Sequence, residues 1–390
     1  MTDGLELPGP AARAHSATLV GRIRDAVAAN GGWLDFSDYM RMALYEPGFG
    51  YYSAGSTKFG PAGDFVTAPE ISPLFARCLA RACVPTLSRL EAPVILEIGA
   101  GSGALACDVL EALAGLDCLP ARYLILEVSA ELRERQRALV VARAPGLAGR
   151  VEWLDRLPVE PLHGVVIANE VADALPVSRF RCTAEGVVAL GVGLTGAALA
   201  WREGTAGAGL VLAVAAIEQA LGEPLAPGYT SEVCLELPAW IGSVADSLGA
   251  GAIFLVDYGC TRREYYLPGR AAGTLVCHYR HRVHHDVFWV PGLQDITAWV
   301  DFSMLAAAGR SAGLALAGYG TQAHFLLDNG IESELASAAA LGTSVGVQIL
   351  QQAKTLLLPG DMGERFKVLA LTRGDFRVPG FEFRDLSARL

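Results

Sequence analysis

The stretch Val94–Gly103, VILEIGAGSG, constrains the fold of this chain more than any other. Apolar and β-branched residues surround one acid, Glu97, and run directly into glycines at positions 99, 101 and 103. A short apolar run closed by glycines reads as a buried strand, and the good helix formers from Ala104 to Ala114 predict a helix after it. The local order is therefore strand, tight turn, helix. Glycines at Gly99, Gly101 and Gly103 tolerate positive φ and leave bare backbone for a ligand, while the helix N-terminus offers unpaired N–H donors. The pattern predicts a nucleotide-like cofactor at this turn.

The glycines alone do not choose the cofactor, because Gly99, Gly101 and Ala104 also satisfy the dinucleotide pattern G-x-G-x-x-G/A. Glu97 does choose. A carboxylate two residues before the first glycine repels a pyrophosphate and suits the cationic amino-acid end of S-adenosylmethionine; methyltransferases that use this cofactor typically carry an acid there. Tyr123–Ser129, YLILEVS, is a second apolar run that ends on Glu127. An acid at the tip of a second strand accepts ribose hydroxyls, in NAD sites and methyltransferases alike. Glu127 thus predicts a ribose and Glu97 favours S-adenosylmethionine over NAD, with an NAD-linked oxidoreductase as the alternative.

The chain has 390 residues, 52% of them apolar, enough for a large core with insertions or for two domains. Its net charge of −10 comes without a basic run, which argues against nucleic acid as a partner. The eight cysteines are scattered with no C-x-x-C pair and read as reduced core residues, not a zinc or disulfide framework. No apolar run reaches the ~18 residues of a membrane helix, and the acidic, proline-bearing start lacks the pattern of a signal peptide. The expected location is the cytoplasm.

Residues 1–15 are small, polar and proline-bearing, and read as frayed. Leu19, Ile23 and Val27 recur at helical spacing before Gly31 and Gly32, and DFSDYMRMAL predicts a second short helix. Tyr45–Glu70 is crowded with Gly, Pro and aromatic residues and shows neither period, so it is expected to be a lid or an irregular cover. A helix from Ser72 leads to the organising strand. A charged amphipathic helix, Ala130–Arg143, crosses to a third short strand, Val151–Leu154, and His163–Ala168 makes a fourth. Short β-like pieces with glycine-rich turns between Arg179 and Trp201 predict an inserted meander. Gly251–Gly259 predicts the fifth strand, its Asp257 either facing a cleft or capping a turn. Leu314–Thr321 is strand-like, and Phe366–Thr372 reads as an antiparallel closing strand at the sheet edge, followed by a polar tail. The run CHYRHRVHHD offers His278, His281, His284 and His285, but its spacing and its interleaved arginines fit no metal template; it reads as a surface or partner-binding loop. Gln294, Asp295 and Asp301 read as groove or cap residues.

The motifs DYMRMALYEPGFGYY, KFGPAGDFVTAPEISPLF, VILEIGAGSG, NEVADALPV, VDYG, GTLVC, PGLQDITAWVDF and MGERFKVL, in this order, resemble the MidA family of S-adenosylmethionine-dependent methyltransferases. The likeness spans about residues 33–373. It implies a Rossmann-like α/β core with a mostly parallel seven-stranded sheet, an N-terminal lid and large insertions forming a second lobe. The expected division is 1–71 for the N-terminal helices and lid, 72–373 for the methyltransferase domain with insertions at about 178–234 and 260–358, and 374–390 for a tail. Mitochondrial members of the family are assembly factors for respiratory complex I and methylate an arginine on one of its subunits, which implies a protein substrate. A cofactor-binding assembly chaperone without catalysis is a further alternative.

The resemblance carries Thr67 and Pro69 of GDFVTAPE into the cofactor site, and Asp155 to the adenine amino group, where the other reading is a solvated turn acid before Pro158. Ligands of open α/β sheets bind outside the carboxyl ends of the strands. Asn169, Glu170 and Asp173 of NEVADALP are therefore expected in front of the sulfonium, with Asn169 also touching the cofactor. If the acceptor is arginine, its protonated guanidinium presents a fork of N–H donors that carboxylates can bind and orient. Glu170 and Asp173 supply two; for Asp173 a helix N-cap is an equal reading.

Overall fold

The strand, turn and helix around Gly99 form the centre of a mixed sheet in the computed structural model, which describes residues 5–53 and 67–390. The chain divides into two compact units, one of Val66–Ala172, Pro238–Cys260 and Phe302–Leu390, the other of Met1–Phe65, Asp173–Leu237 and Thr261–Asp301.

The first unit carries the sheet. Its strands are β1 (Val94–Ile98), β2 (Arg122–Leu126), β3 (Val151–Leu154), β4 (Leu162–Asn169), β5 (Leu248–Cys260), β6 (Ala315–Thr321) and β7 (Phe366–Arg373). They pair in the order β6-β7-β5-β4-β1-β2-β3. The five from β3 to β5 are parallel, and β7 runs antiparallel to both β5 and β6. Every residue of β1 is buried, as a parallel strand covered on both faces requires. Helices Pro73–Leu87 and Ala104–Gly115 pack onto it through Phe75, Leu79, Val109 and Leu110, which meet Ile95, Val165 and Phe254 of the sheet in one core. Chain order along the sheet reverses between β1 and β4, and in such sheets the crevice beyond the carboxyl ends at that point is where ligands bind.

The second unit contains helices Pro10–Ala29 and Phe36–Tyr45 and an antiparallel sheet of Leu34–Asp35, Ser178–Thr183, Gly186–Thr195, Ala198–Thr205 and Thr230–Val233. The meander expected between Arg179 and Trp201 is the middle of this sheet. A smaller sheet joins Val276–Tyr279, Arg282–His284 and Asp295–Thr297. Leu19, Ile23, Phe36, Tyr39, Val192, Cys277 and Ile296 share its core.

Four expectations need correction. The first helix begins at Pro10, inside the stretch 1–15 expected to fray, because a proline at its first position is preorganised for a helix start. The closing strand β7 lies inside the sheet, and β6 takes the edge, so part of the stretch 260–358 read as an insertion belongs to the core sheet. The last residues are not a loose polar tail. Val378 and Phe381 are buried in the core, Leu386 N–H donates to Tyr319 O at 2.7 Å, and the segment covers part of the edge strand, where open N–H and C=O groups would invite pairing. In the histidine run only part is surface: His284 is buried, and His278 is shielded enough that burial, then His284, lowers it to about 4. The central part of the expected lid, residues 54–66, lies outside the described residues.

Cys78, Cys83, Cys107, Cys182, Cys260 and Cys277 are buried free thiols, and Cys118 and Cys234 are half-buried free thiols. Among the described residues no helix is long and apolar enough to cross a membrane.

Candidate active site

The turn after β1 is built on positive φ at Gly99 (68°), Gly101 (54°) and Gly103 (89°), a backbone path closed to most side chains. Gly103 is the N-cap of the helix Ala104–Gly115. A Cβ at Gly99 would lie 3.1 Å from Val171 Cγ2, and one at Gly103 would lie 3.2 Å from Gln136 Cγ, so both glycines also serve close approach. Ser102 Oγ accepts from Ala104 N–H at 3.2 Å and donates to Glu70. That contact brings the short helix Ala68–Ile71, with Thr67 as its N-cap and Pro69 in its first turn, to the glycine turn.

Glu97 is 2% exposed, and its Oε2 accepts from Tyr123 Oη at 2.7 Å. Burial raises its carboxyl to about 7; the Tyr123 hydrogen bond opposes that shift and the Glu127 charge adds to it. Glu127 is buried at the tip of β2. Its Oε1 accepts from Ser129 N–H at 2.9 Å and its Oε2 from Gln136 Nε2 at 3.1 Å. Burial raises this carboxyl too, against the two hydrogen bonds. Two buried acids thus flank a turn of bare backbone, an acceptor set that fits a ligand with a cationic group and a pair of hydroxyls.

At the end of β4, Asn169 Nδ2 donates to Glu170 Oε1 at 3.2 Å, while its Oδ1 is buried with no partner among the described residues. Glu170 has φ 55°, a left-handed conformation uncommon for a residue with a side chain and worth about 1–3 kcal/mol of strain. Two bonds from β5 hold the turn: Glu170 N–H donates to Val256 O at 2.8 Å and Ala172 N–H to Asp257 Oδ2 at 2.9 Å. Asp257 also accepts from Tyr258 N–H, so of its two expected roles it fills the capping one.

The remaining candidates lie directly after β3 and in the second unit. Asp155 follows β3 with its side chain exposed, and its carboxylate makes no hydrogen bond among the described residues. Asp173 is buried in a 3₁₀ turn, Ala172–Ala174, and belongs to the second unit. There it neighbours Tyr45, Tyr52 and Asp295: burial, then Asp295 and Asp173, raises both phenols, and Tyr52 Oη donates to Asp295 at 3.0 Å. Gln294 donates to the carbonyls of Asp286 and Val287, and Asp301 pairs with Arg262 at 2.9 Å, both internal ties of that unit.

Sequence reasoning missed Glu70, Ser102, Tyr123 and Gln136. For Gln136 a signal existed: it shares the helical stripe of Leu132 and Val140, a polar residue in the buried phase.

A mixed sheet whose main path holds one antiparallel strand, a glycine turn after its central strand and acids at Glu97 and Glu127 define an S-adenosylmethionine-dependent methyltransferase. The profile of a family of such methyltransferases matches residues 78–320. The chain belongs to that family, the MidA methyltransferases, and its cofactor is S-adenosylmethionine. It is similar to a Burkholderia thailandensis protein solved with S-adenosyl-homocysteine, at 43% identity and a TM-score of 0.94, covering 99% of this chain and 100% of that one. A native structure of a Burkholderia thailandensis protein matches at 42% identity and a TM-score of 0.90, with the same coverage. Among curated relatives, the mitochondrial protein arginine methyltransferase NDUFAF7 of Mus musculus is 30% identical, covering 87% of this chain and 81% of that protein. Its Danio rerio counterpart is 27% identical over 87% and 83%.

Proposed function

We propose that this methyltransferase acts on an arginine of a protein substrate, with a subunit of a respiratory complex as the first candidate. The observation that carries the reading is Glu170, held in a strained turn at the carboxyl end of β4 by Asn169 and by the end of β5. The names of the relatives support the choice of arginine.

When bound, S-adenosylmethionine supplies a methyl group on a sulfonium that loses its charge as the carbon–sulfur bond breaks. The chain's own work is mainly positioning. The glycine turn and Glu127 orient the nucleoside, and Glu97 receives the ammonium of the amino-acid end. Glu170 accepts N–H bonds from the guanidinium, which is protonated at any working pH, and points one nitrogen towards the methyl carbon. As that nitrogen forms its new bond, the proton it sheds passes to the Glu170 carboxylate and then to water.

The test is incubation of the chain with methyl-tritiated S-adenosylmethionine and the candidate subunit, followed by acid hydrolysis and amino-acid analysis. The expected label is in methylated arginine. Label confined to lysine, or released by mild base as from a carboxyl ester, contradicts the reading.

A further inference from the structure

We infer that Gln136 is a positioning residue that aims Glu127 at the vicinal hydroxyls of a ribose and so sets the preference of this site for ribonucleosides. The inference rests on the reading of Glu127 as the ribose acid.

Gln136 is fully buried in the helix Ala130–Arg143, on the stripe that otherwise carries Leu132 and Val140. A buried amide is costly unless its hydrogen bonds are made, and this one makes three. Nε2 donates to Gly101 O at 2.9 Å and to Glu127 Oε2 at 3.1 Å, and Oε1 accepts from Trp153 Nε1 at 2.9 Å. The chemistry of the partners fixes which way the amide points. An indole N–H only donates and the other two groups only accept, so a flipped amide would lose every bond. One side chain thus ties together the glycine turn after β1, the tip of β2 and the strand β3.

The effect on Glu127 is specific. Both of its oxygens accept a bond, Oε1 from Ser129 N–H and Oε2 from Gln136, and the Val128 N–H adds to the backbone side, which together fix the plane of the carboxylate. A planar carboxylate held in one orientation offers its two oxygens to two adjacent hydroxyls. The donated bond also favours the ionised carboxylate against the burial that opposes it, and ionised acceptors make the stronger bonds. Gly103 belongs to the same arrangement, because a Cβ there would press on Gln136 Cγ at 3.2 Å.

The experiment is calorimetric binding of S-adenosylhomocysteine and of its 2′-deoxy counterpart to the wild type, Gln136→Met and Glu127→Gln. In the wild type the ribo form is expected to bind at least about tenfold tighter, as loss of a bond to a charged acceptor implies. In Gln136→Met that preference should collapse to within about twofold, chiefly by weakening the ribo form. Glu127→Gln should collapse it as well. If Glu127→Gln collapses the preference while Gln136→Met weakens both ligands by the same factor, Gln136 merely packs and the inference is overturned with the ribose reading intact. If Glu127→Gln leaves the preference unchanged, or the wild type shows none, the ribose reading fails and takes the inference with it. Gln136→Glu adds a pH readout: the preference should persist at low pH, where a shared proton restores the bond to Glu127, and disappear as the pH rises. Should Gln136→Met not fold, Trp153→Phe releases the acceptor end of the amide and leaves a smaller aromatic ring in place. It should lower the preference in the same direction, and an unchanged preference would overturn the inference.

Discussion

Glu97 gives the sharpest consequence of the site. With its carboxyl raised to about 7 by burial, it is half protonated near neutral pH in the cofactor-free chain. In the fold itself, an acid raised above its ordinary 4.5 contributes stability that is complete below 4.5 and is lost as the pH rises through 7. A ligand ammonium beside the carboxylate reverses the preference and returns the group towards ordinary carboxylate behaviour. Binding at pH 7 should then release about half a proton per cofactor, and at pH 6 close to one. By linkage, affinity should rise by up to about tenfold per pH unit below 7 and level off above it. The assay is calorimetric titration of S-adenosylhomocysteine at pH 6, 7 and 8 in buffers of different ionisation enthalpy, so that released protons appear as a buffer-dependent heat. Glu97→Gln should abolish this proton release at pH 6. Proton uptake by the wild type at that pH, or the same release from the variant, would refute the assignment of Glu97 to the ammonium.

Glu170→Gln should leave S-adenosylhomocysteine affinity within about twofold while lowering the methyl-transfer rate at least tenfold, measured as labelled methyl incorporated per unit time; an unchanged rate would remove Glu170 from the acceptor site. Gly103→Ala combines a left-handed backbone with pressure on Gln136 and should cost about 1–2 kcal/mol in urea denaturation, and an unshifted midpoint would count against it. Phe381→Ala should cost about 3–5 kcal/mol by the same measurement, because the ring is buried against Phe325 and the edge strand. A variant as stable as the wild type would show that the C-terminal segment is not part of the fold.

The centre of the sheet was legible because its signal is local. A short, mainly apolar strand closed by glycines at alternate positions leaves few other structures open, and the acids at Glu97 and Glu127 are placed by strand ends that the sequence marks clearly. The edge was less legible. Ala315–Thr321 is rich in small residues and glycine, and β7 gives no sign of which neighbour lies beyond it; strand order is a long-range property. The tail misled for a related reason, since its scattered apolar residues follow no period and Phe381 acquires meaning only against Phe325 and Gly318. Side-chain partnerships such as Tyr123 with Glu97, or Glu70 with Ser102, join residues more than twenty positions apart and leave no periodic trace. Gln136 is the exception, because a polar residue on an apolar helical stripe stands out in the amino-acid pattern itself. Asp155 stays open in both readings, because a strand-end acid looks much the same whether it meets a ligand or water.

The measurement that bears most directly on cofactor selection is equilibrium binding of S-adenosylmethionine and of NAD to the wild type and to Glu97→Gln under identical conditions. The wild type should bind the sulfonium compound and give no heat with the dinucleotide, and Glu97→Gln should bind S-adenosylmethionine at least about tenfold more weakly. Saturable binding of NAD by the wild type, or undiminished affinity in the variant, would contradict the role given to the carboxylate before the glycine turn.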